Sequence, residues 1–287
     1  MRGEISKDTD GSGAITKVLF KLPRQTRGHV VAVLGEFFGT MSFIFFAFAG
    51  TQTANISSNS NANGNVTTET ASKNPAQLLY ISLAFGFSLA VNVWVFFRIS
   101  GGLFNPAVTL GMALIGAVTI VRAALLVVAQ MIGAIVGAFL VSALFTGDLN
   151  VSTTPFATTS NAQAVLIEML LTTLLVFTIF MLAAEKHTGN FVAPVGIGLA
   201  LFIAELVGVF WTGGSLNPAR SFAPGCVVGF EHTQWIYWVG PIAGSILAVI
   251  LFEIIKALEY ETASGPGDAE DVEANKKEPA RTNGAGH

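Results

Sequence analysis

The sequence predicts an all-α membrane protein of six transmembrane helices plus two re-entrant half-helices, built as an inverted repeat. Three observations carry this. The 287 residues are 52% hydrophobic and only 11% charged, about half the charged fraction of an ordinary soluble domain. Six apolar segments recur, each near the roughly twenty residues that cross a bilayer as a helix. The two halves of the chain also repeat the same short motifs in the same order.

The six segments lie near 30–50, 78–98, 121–145, 161–184, 191–211 and 234–258. Two further apolar stretches, near 105–114 and 217–226, are too short to cross alone and read as re-entrant half-helices. Non-helical backbone at membrane depth is tolerated only where protein buries it or water lines it. Residues 1–29 are polar and basic, with no apolar run of the signal-peptide kind, and are expected to form a disordered cytoplasmic tail. Residues 259–287, rich in Gly, Ala, Glu and Lys, are expected to form a second one. The channel domain is then 30–258, with repeats of about 30–150 and 160–258.

Charge sets the orientation, because basic residues favour the cytoplasmic side. With the N-terminus inside, the inner face holds the basic N-tail, Arg98, Arg122, Lys186, Lys256 and the C-terminal Lys276, Lys277 and Arg281, and the outer side holds Lys73, with Arg220 as a special case. Three glycosylation tripeptides, beginning at Asn55, Asn65 and Asn150, fall in the loops assigned outside.

The repeat is specific. Ser100-Gly-Gly-Leu-Phe-Asn-Pro-Ala107 matches Thr212-Gly-Gly-Ser-Leu-Asn-Pro-Ala219. Glu36-Phe-Phe-Gly-Thr40 resembles Glu168-Met-Leu-Leu-Thr172, and Gly133-Ala-Ile-Val-Gly137 resembles Gly240-Pro-Ile-Ala-Gly244. Each half holds three spans and one half-helix, and three is odd, so the halves are inverted. Such repeats place a shared site near the bilayer midplane.

Asn105-Pro106 and Asn217-Pro218 read as helix starts, since Asn is a favoured N-cap and Pro is tolerated at the first helical position. The two inverted half-helices therefore meet amino end to amino end. Each end carries roughly half a positive charge, which repels cations and orients passing dipoles. The Asn amides offer donors. The backbone before each Asn has no helical partner, so the carbonyls of Gly101, Gly102, Leu103, Gly213 and Ser215 offer acceptors along a path. Glu36 and Glu168 are acids in apolar spans and need donors, and their repetition suggests a common task of accepting from the re-entrant loops. Gly39, Gly86, Gly133, Gly137, Gly196, Gly240 and Gly244 allow close helix packing.

The single cysteine, Cys226, excludes an intrachain disulfide, and no Cys/His cluster points to a metal or other cofactor. The four His, at 29, 187, 232 and 287, form no catalytic triad. No enzyme activity and no nucleic-acid partner are expected.

Ser100 to Gly111 and Thr212 to Phe222 resemble the signature loops of the aquaporin family, the major intrinsic proteins, and the form Ser-Gly-Gly-Leu-Phe-Asn-Pro-Ala is most similar to fungal members. The resemblance implies the aquaporin fold, with pore motifs at Asn105, Pro106, Ala107 and Asn217, Pro218, Ala219. It also implies a homotetramer with one pore per subunit. It puts an outer selectivity filter on Phe85, Glu205, Gly214 and Arg220. Arg220 is costly at membrane depth, so a functional role is its default reading. Glu205 departs from the family, in which water-selective members often carry His and glycerol-conducting ones a small apolar residue. It is expected to face the pore near Arg220, with Gly214 leaving room opposite. Leu103 stands where some members carry His, so no pH sensor is expected there.

Ser221 after Arg220, and Tyr237-Trp238 on the sixth span, favour the water-type branch over the glycerol branch. The resemblance thus implies a passive water channel in the plasma membrane that also passes hydrogen peroxide and excludes protons and ions. The alternatives are a glycerol-type channel, a secondary active transporter, and a non-conducting structural membrane protein.

Overall fold

A computed structural model describes residues 22–60, 74–185 and 188–260. The expectations for residues 1–21 and 261–287 and for Asn65 lie outside the described residues. Among those described, all regular structure is helical. Helix α1 is Arg24–Ser60, α2 Pro75–Phe96, α3 Pro106–Leu114, α4 Ile120–Leu144, α5 Asn161–Ile179, α6 Ala193–Trp211, α7 Pro218–Val228 and α8 Ile236–Ala257. A π-helical turn, Phe180–Ala184, prolongs α5, and a 3-10 turn, Thr188–Val192, leads into α6. Among the described residues, six helices are long and apolar enough to cross a membrane, and α3 and α7 are the two short ones.

Local chemistry explains the starts. Asn74 caps α2 by accepting from Ala76 N, and Pro75 follows it. Thr119 caps α4. Ser160 and Gln163 form a reciprocal capping box on α5, which satisfies two otherwise orphaned donors.

Helix α1 departs from the expected 30–50 at both ends. It begins inside the stretch expected to be a disordered tail, with Arg24 to His29 already helical. It also runs ten residues past the apolar segment, because its polar end is tied to the loop after α4. Gln52 donates to Asp148 O (2.9 Å) and accepts from Asn150 N (2.8 Å), and Asn55 Nδ2 donates to Asn150 O (2.6 Å). Asn55 is therefore a helix residue with its amide engaged, and not the open-loop acceptor the tripeptide suggested. Asn150 lies in a loop with its side chain exposed.

The packing obeys the repeat. Helix α1 packs on α4 as α5 packs on α8, and α1 on α2 as α5 on α6. Each half-helix also packs on the last span of the other half, α7 on α4 and α3 on α8. Helices α2 and α6 meet at the centre, where Gly86 and Gly198 let the backbones touch: a Cβ on either would collide with the other's carbonyl. Large apolar side chains such as Phe46, Phe87, Val91, Trp94, Leu170 and Leu199 point outward. In water such a surface invites association, and against lipid it is solvated.

Candidate pore

The two re-entrant loops are built alike. Gly101, Gly102, Gly213 and Gly214 all have positive φ (107°, 65°, 87° and 63°). So do Phe104 (49°) and Leu216 (53°), the residues before each Asn. A bulky residue in the left-handed region costs of order 1–3 kcal/mol and persists only where its surroundings hold it.

Those surroundings are visible. Glu36 accepts from Leu103 N (3.0 Å), Phe104 N (2.8 Å), Ser100 Oγ (2.7 Å) and Gln130 Nε2 (2.7 Å). Glu168 accepts from Ser215 N (3.0 Å), Leu216 N (2.8 Å) and Thr212 Oγ1 (2.6 Å). Both carboxylates are fully buried, and a buried charge is tolerable only when donors surround it. Gln130 also bonds Thr109 of α3 (2.8 Å), and Tyr237 donates to Thr212 O (2.7 Å). These two side chains, each three residues before its Gly-rich motif, brace the loops from α4 and α8.

The half-helices meet through their caps. Asn105 Oδ1 accepts from Ala107 N (2.8 Å) and Asn217 Oδ1 from Ala219 N (2.9 Å). Asn105 Nδ2 donates to Leu216 O (2.8 Å), and Asn217 Nδ2 to Phe104 O (2.9 Å). Each amide thus spends one of its two N–H groups joining the opposite loop and keeps one. The Gly213 carbonyl takes a hydrogen bond from Arg220 (3.3 Å), which leaves it one further lone pair. The carbonyls of Gly101, Gly102, Leu103 and Ser215 accept none of the hydrogen bonds made among the described residues.

A narrow cavity of about 20 Å³ runs past Asn105 and Asn217, lined by Phe85, Leu89, Leu103, Val108, Leu175 and Leu201 among others. A cavity of ~15 Å³ on this measure holds about one water. Toward the N-terminal face it is followed by a vestibule of about 650 Å³ lined by Gln25, His29, Ser100, Gly101, Arg122 and Leu103 among others.

The Arg220 side chain is almost fully buried. Its Nε donates to Gly214 O (2.9 Å), Nη1 to Val151 O (2.7 Å) and Nη2 to Gly213 O (3.3 Å). Its Cζ lies 4.8 Å from the Phe85 ring centroid and 5.1 Å from that of Phe48. Glu205, also fully buried, lies close enough for its charge to act on Arg220. Its carboxylate rests on Gly214, where an added Cβ would collide with it. Gly214 therefore leaves no vacant room, because Glu205 fills the space a side chain there would take. Ser221 bonds Ser215 (2.6 Å) and Thr153 (2.9 Å) and so ties α7 to two loops. Phe48, Gln130 and Val151 carry no motif and are placed here only by the fold.

The family model for the major intrinsic proteins matches residues 24–252. The chain belongs to the major intrinsic protein family. This aquaporin-family chain is 59% identical over 249 residues to aquaporin-7 of Botryotinia fuckeliana, covering 86% of this chain and 54% of that one. It is 54% identical over 256 residues to probable aquaporin-5 of Gibberella zeae, covering 89% and 47%. It thus spans about half the length of these curated relatives. Among solved structures, the aquaglyceroporin from Plasmodium falciparum superposes with a TM-score of 0.64 at 21% identity, covering 79% of this chain and 95% of that one. At that identity the likeness speaks for the fold. Members of the family are membrane channels and not enzymes.

Proposed function

We propose that this aquaporin is a passive water channel that also passes hydrogen peroxide, excludes protons and ions, and works as a homotetramer with cytoplasmic termini in the plasma membrane. The observation that carries the reading is the narrow cavity at the paired Asn residues, with room for about one water and polar groups on one wall. A water there exchanges hydrogen bonds with the free Nδ2–H groups of Asn105 and Asn217 and with the carbonyls of Gly102, Leu103 and Ser215, and a water in the adjoining vestibule with that of Gly101. The remaining wall is apolar and offers nothing to hold it. Two helix amino ends at this point oppose a proton or cation. Peroxide matches water in width and hydrogen bonding, whereas glycerol is broader.

The filter is assigned to Phe85, Glu205, Gly214 and Arg220, with Glu205 and Gly214 acting as one unit. Alanine at 214 strains a positive φ and drives its methyl into the carboxylate, a cost of about 1 kcal/mol or more from the backbone alone. Gly214→Ala is expected to reduce water permeability by displacing Glu205, and Glu205→Ala added to it is expected to restore part of the loss. Additive effects of the two substitutions, measured as a double-mutant cycle of permeability, would refute the coupling.

Stopped-flow light scattering of the purified protein in liposomes, comparing water, glycerol and peroxide in wild type and Glu205→His, tests the reading. Fast water and peroxide flux with glycerol at the rate of empty liposomes is the expected result. Glycerol flux well above that background would favour the glycerol-type alternative, and flux that saturates or follows a proton gradient would favour a coupled transporter.

A further inference from the structure

Phe48 lies on α1 twelve residues beyond Glu36, about 18 Å further along the helix at about 1.5 Å per residue. It is fully buried and does not line the narrow cavity. Its ring instead faces the Arg220 guanidinium at 5.1 Å, next to the Phe85 ring at 4.8 Å. The two ring centroids are 6.2 Å apart with planes inclined at 63°. They form a V-shaped seat, and both distances lie within the roughly 6 Å over which an aromatic face attracts a cation.

The three carbonyls that hold Arg220 all belong to irregular segments: Val151 in the loop after α4, and Gly213 and Gly214 in the re-entrant loop. Hydrogen bonds at the edges aim the N–H groups at carbonyls of irregular segments. The two rings pack beside the guanidinium from long helices and limit how far it and those segments can shift together. Phe85 lines the path, and Phe48 acts only through Arg220.

The other half carries a Phe at the same spacing, with no cation over its ring among the described residues. Phe180 stands twelve residues beyond Glu168, is fully buried, and packs its ring against Gly111 of α3. In each half the first span thus holds a loop with its Glu and, about three turns later, sends a Phe to the half-helix of the other half.

We infer that Phe48 is a positioning residue of the selectivity filter: it seats the Arg220 guanidinium so that the aperture stays narrow enough to exclude solutes broader than water, such as urea. The inference rests on the water-channel reading and adds a residue of α1 to its filter. The test compares wild type with Phe48→Leu, Phe48→Met and Phe48→Tyr in proteoliposomes, reading the ratio of urea to water permeability. A cryo-EM map of each Leu or Met variant that purifies reads the guanidinium position. The expected result is a ratio about five-fold higher in the Leu and Met variants, near wild type in the Tyr variant that keeps the ring face, and a guanidinium displaced from Val151 O in the map. An unchanged ratio, with the guanidinium still on its three carbonyls, would overturn the inference. If wild type conducts no water, the channel reading fails. The guanidinium position in the map then decides the role of Phe48 alone.

Discussion

Glu168→Ala is expected to be among the most destabilising single substitutions in this chain. The carboxylate is the acceptor for Ser215 N and Leu216 N. Leu216 has positive φ, so the loop cannot relax into a helix that would supply other acceptors. Thr212 has a second acceptor in Gly208 O (3.2 Å) and is not stranded. Two buried amides left without partners cost about 1–3 kcal/mol each, or about 2–6 kcal/mol together. Removing a buried charge returns part of this, and the cavity left by the side chain adds to it. Glu168→Gln keeps one carbonyl oxygen and is expected to fall between wild type and Ala. The thermal unfolding midpoint of the purified protein in detergent checks the order, and an Ala variant as stable as wild type would contradict the loop-support role. Glu36→Ala is expected to be at least as costly, since Glu36 accepts from Leu103 N and Phe104 N and also from Gln130.

Arg220→Val is expected to raise proton or cation leak while water still passes. Valine removes the positive charge and most of the side-chain length at the filter. A unit charge acting over about 4 Å at an effective permittivity of about 20 contributes ~4 kcal/mol. An ionised Glu205 beside the guanidinium would offset part of that repulsion, so a smaller usable barrier is taken. Since 1.4 kcal/mol is a factor of ten, a leak at least about ten-fold above wild type is expected. Vesicles loaded with a pH-sensitive dye measure it. The same variant leaves the carbonyls of Val151, Gly213 and Gly214 without their donor, so solute exclusion is expected to loosen as well. A leak equal to wild type would place the proton barrier at the paired helix ends alone.

The architecture was legible because its signals are local and repeated. Apolar length marks the spans, Asn-Pro after Gly-Gly marks the half-helix starts, and an odd number of spans per half dictates the inversion. What was not legible depends on partners far apart in sequence. The polar end of α1 stays helical through bonds from Gln52 and Asn55 to residues near 150, and no window of sequence around Thr51 contains that partner. Gly214 reads as an opening, and only the packed structure has the Glu205 carboxylate in that space. Phe48 is one of 23 phenylalanines, and nothing in its neighbours separates it from the others. The Asn amides read as donors to a passing molecule, yet each first binds the opposite loop. The same residues therefore join the halves of the protein and line the narrow cavity.

The most direct test of the channel reading measures water and proton movement in one preparation of proteoliposomes. Osmotic shrinkage gives the water flux and an internal pH dye gives the proton flux. The expected result is shrinkage about ten-fold or more faster than in protein-free liposomes, with proton flux indistinguishable from them, as oriented water between opposed helix ends requires. Shrinkage at the protein-free rate with verified incorporation, or water and proton flux rising together, would contradict it.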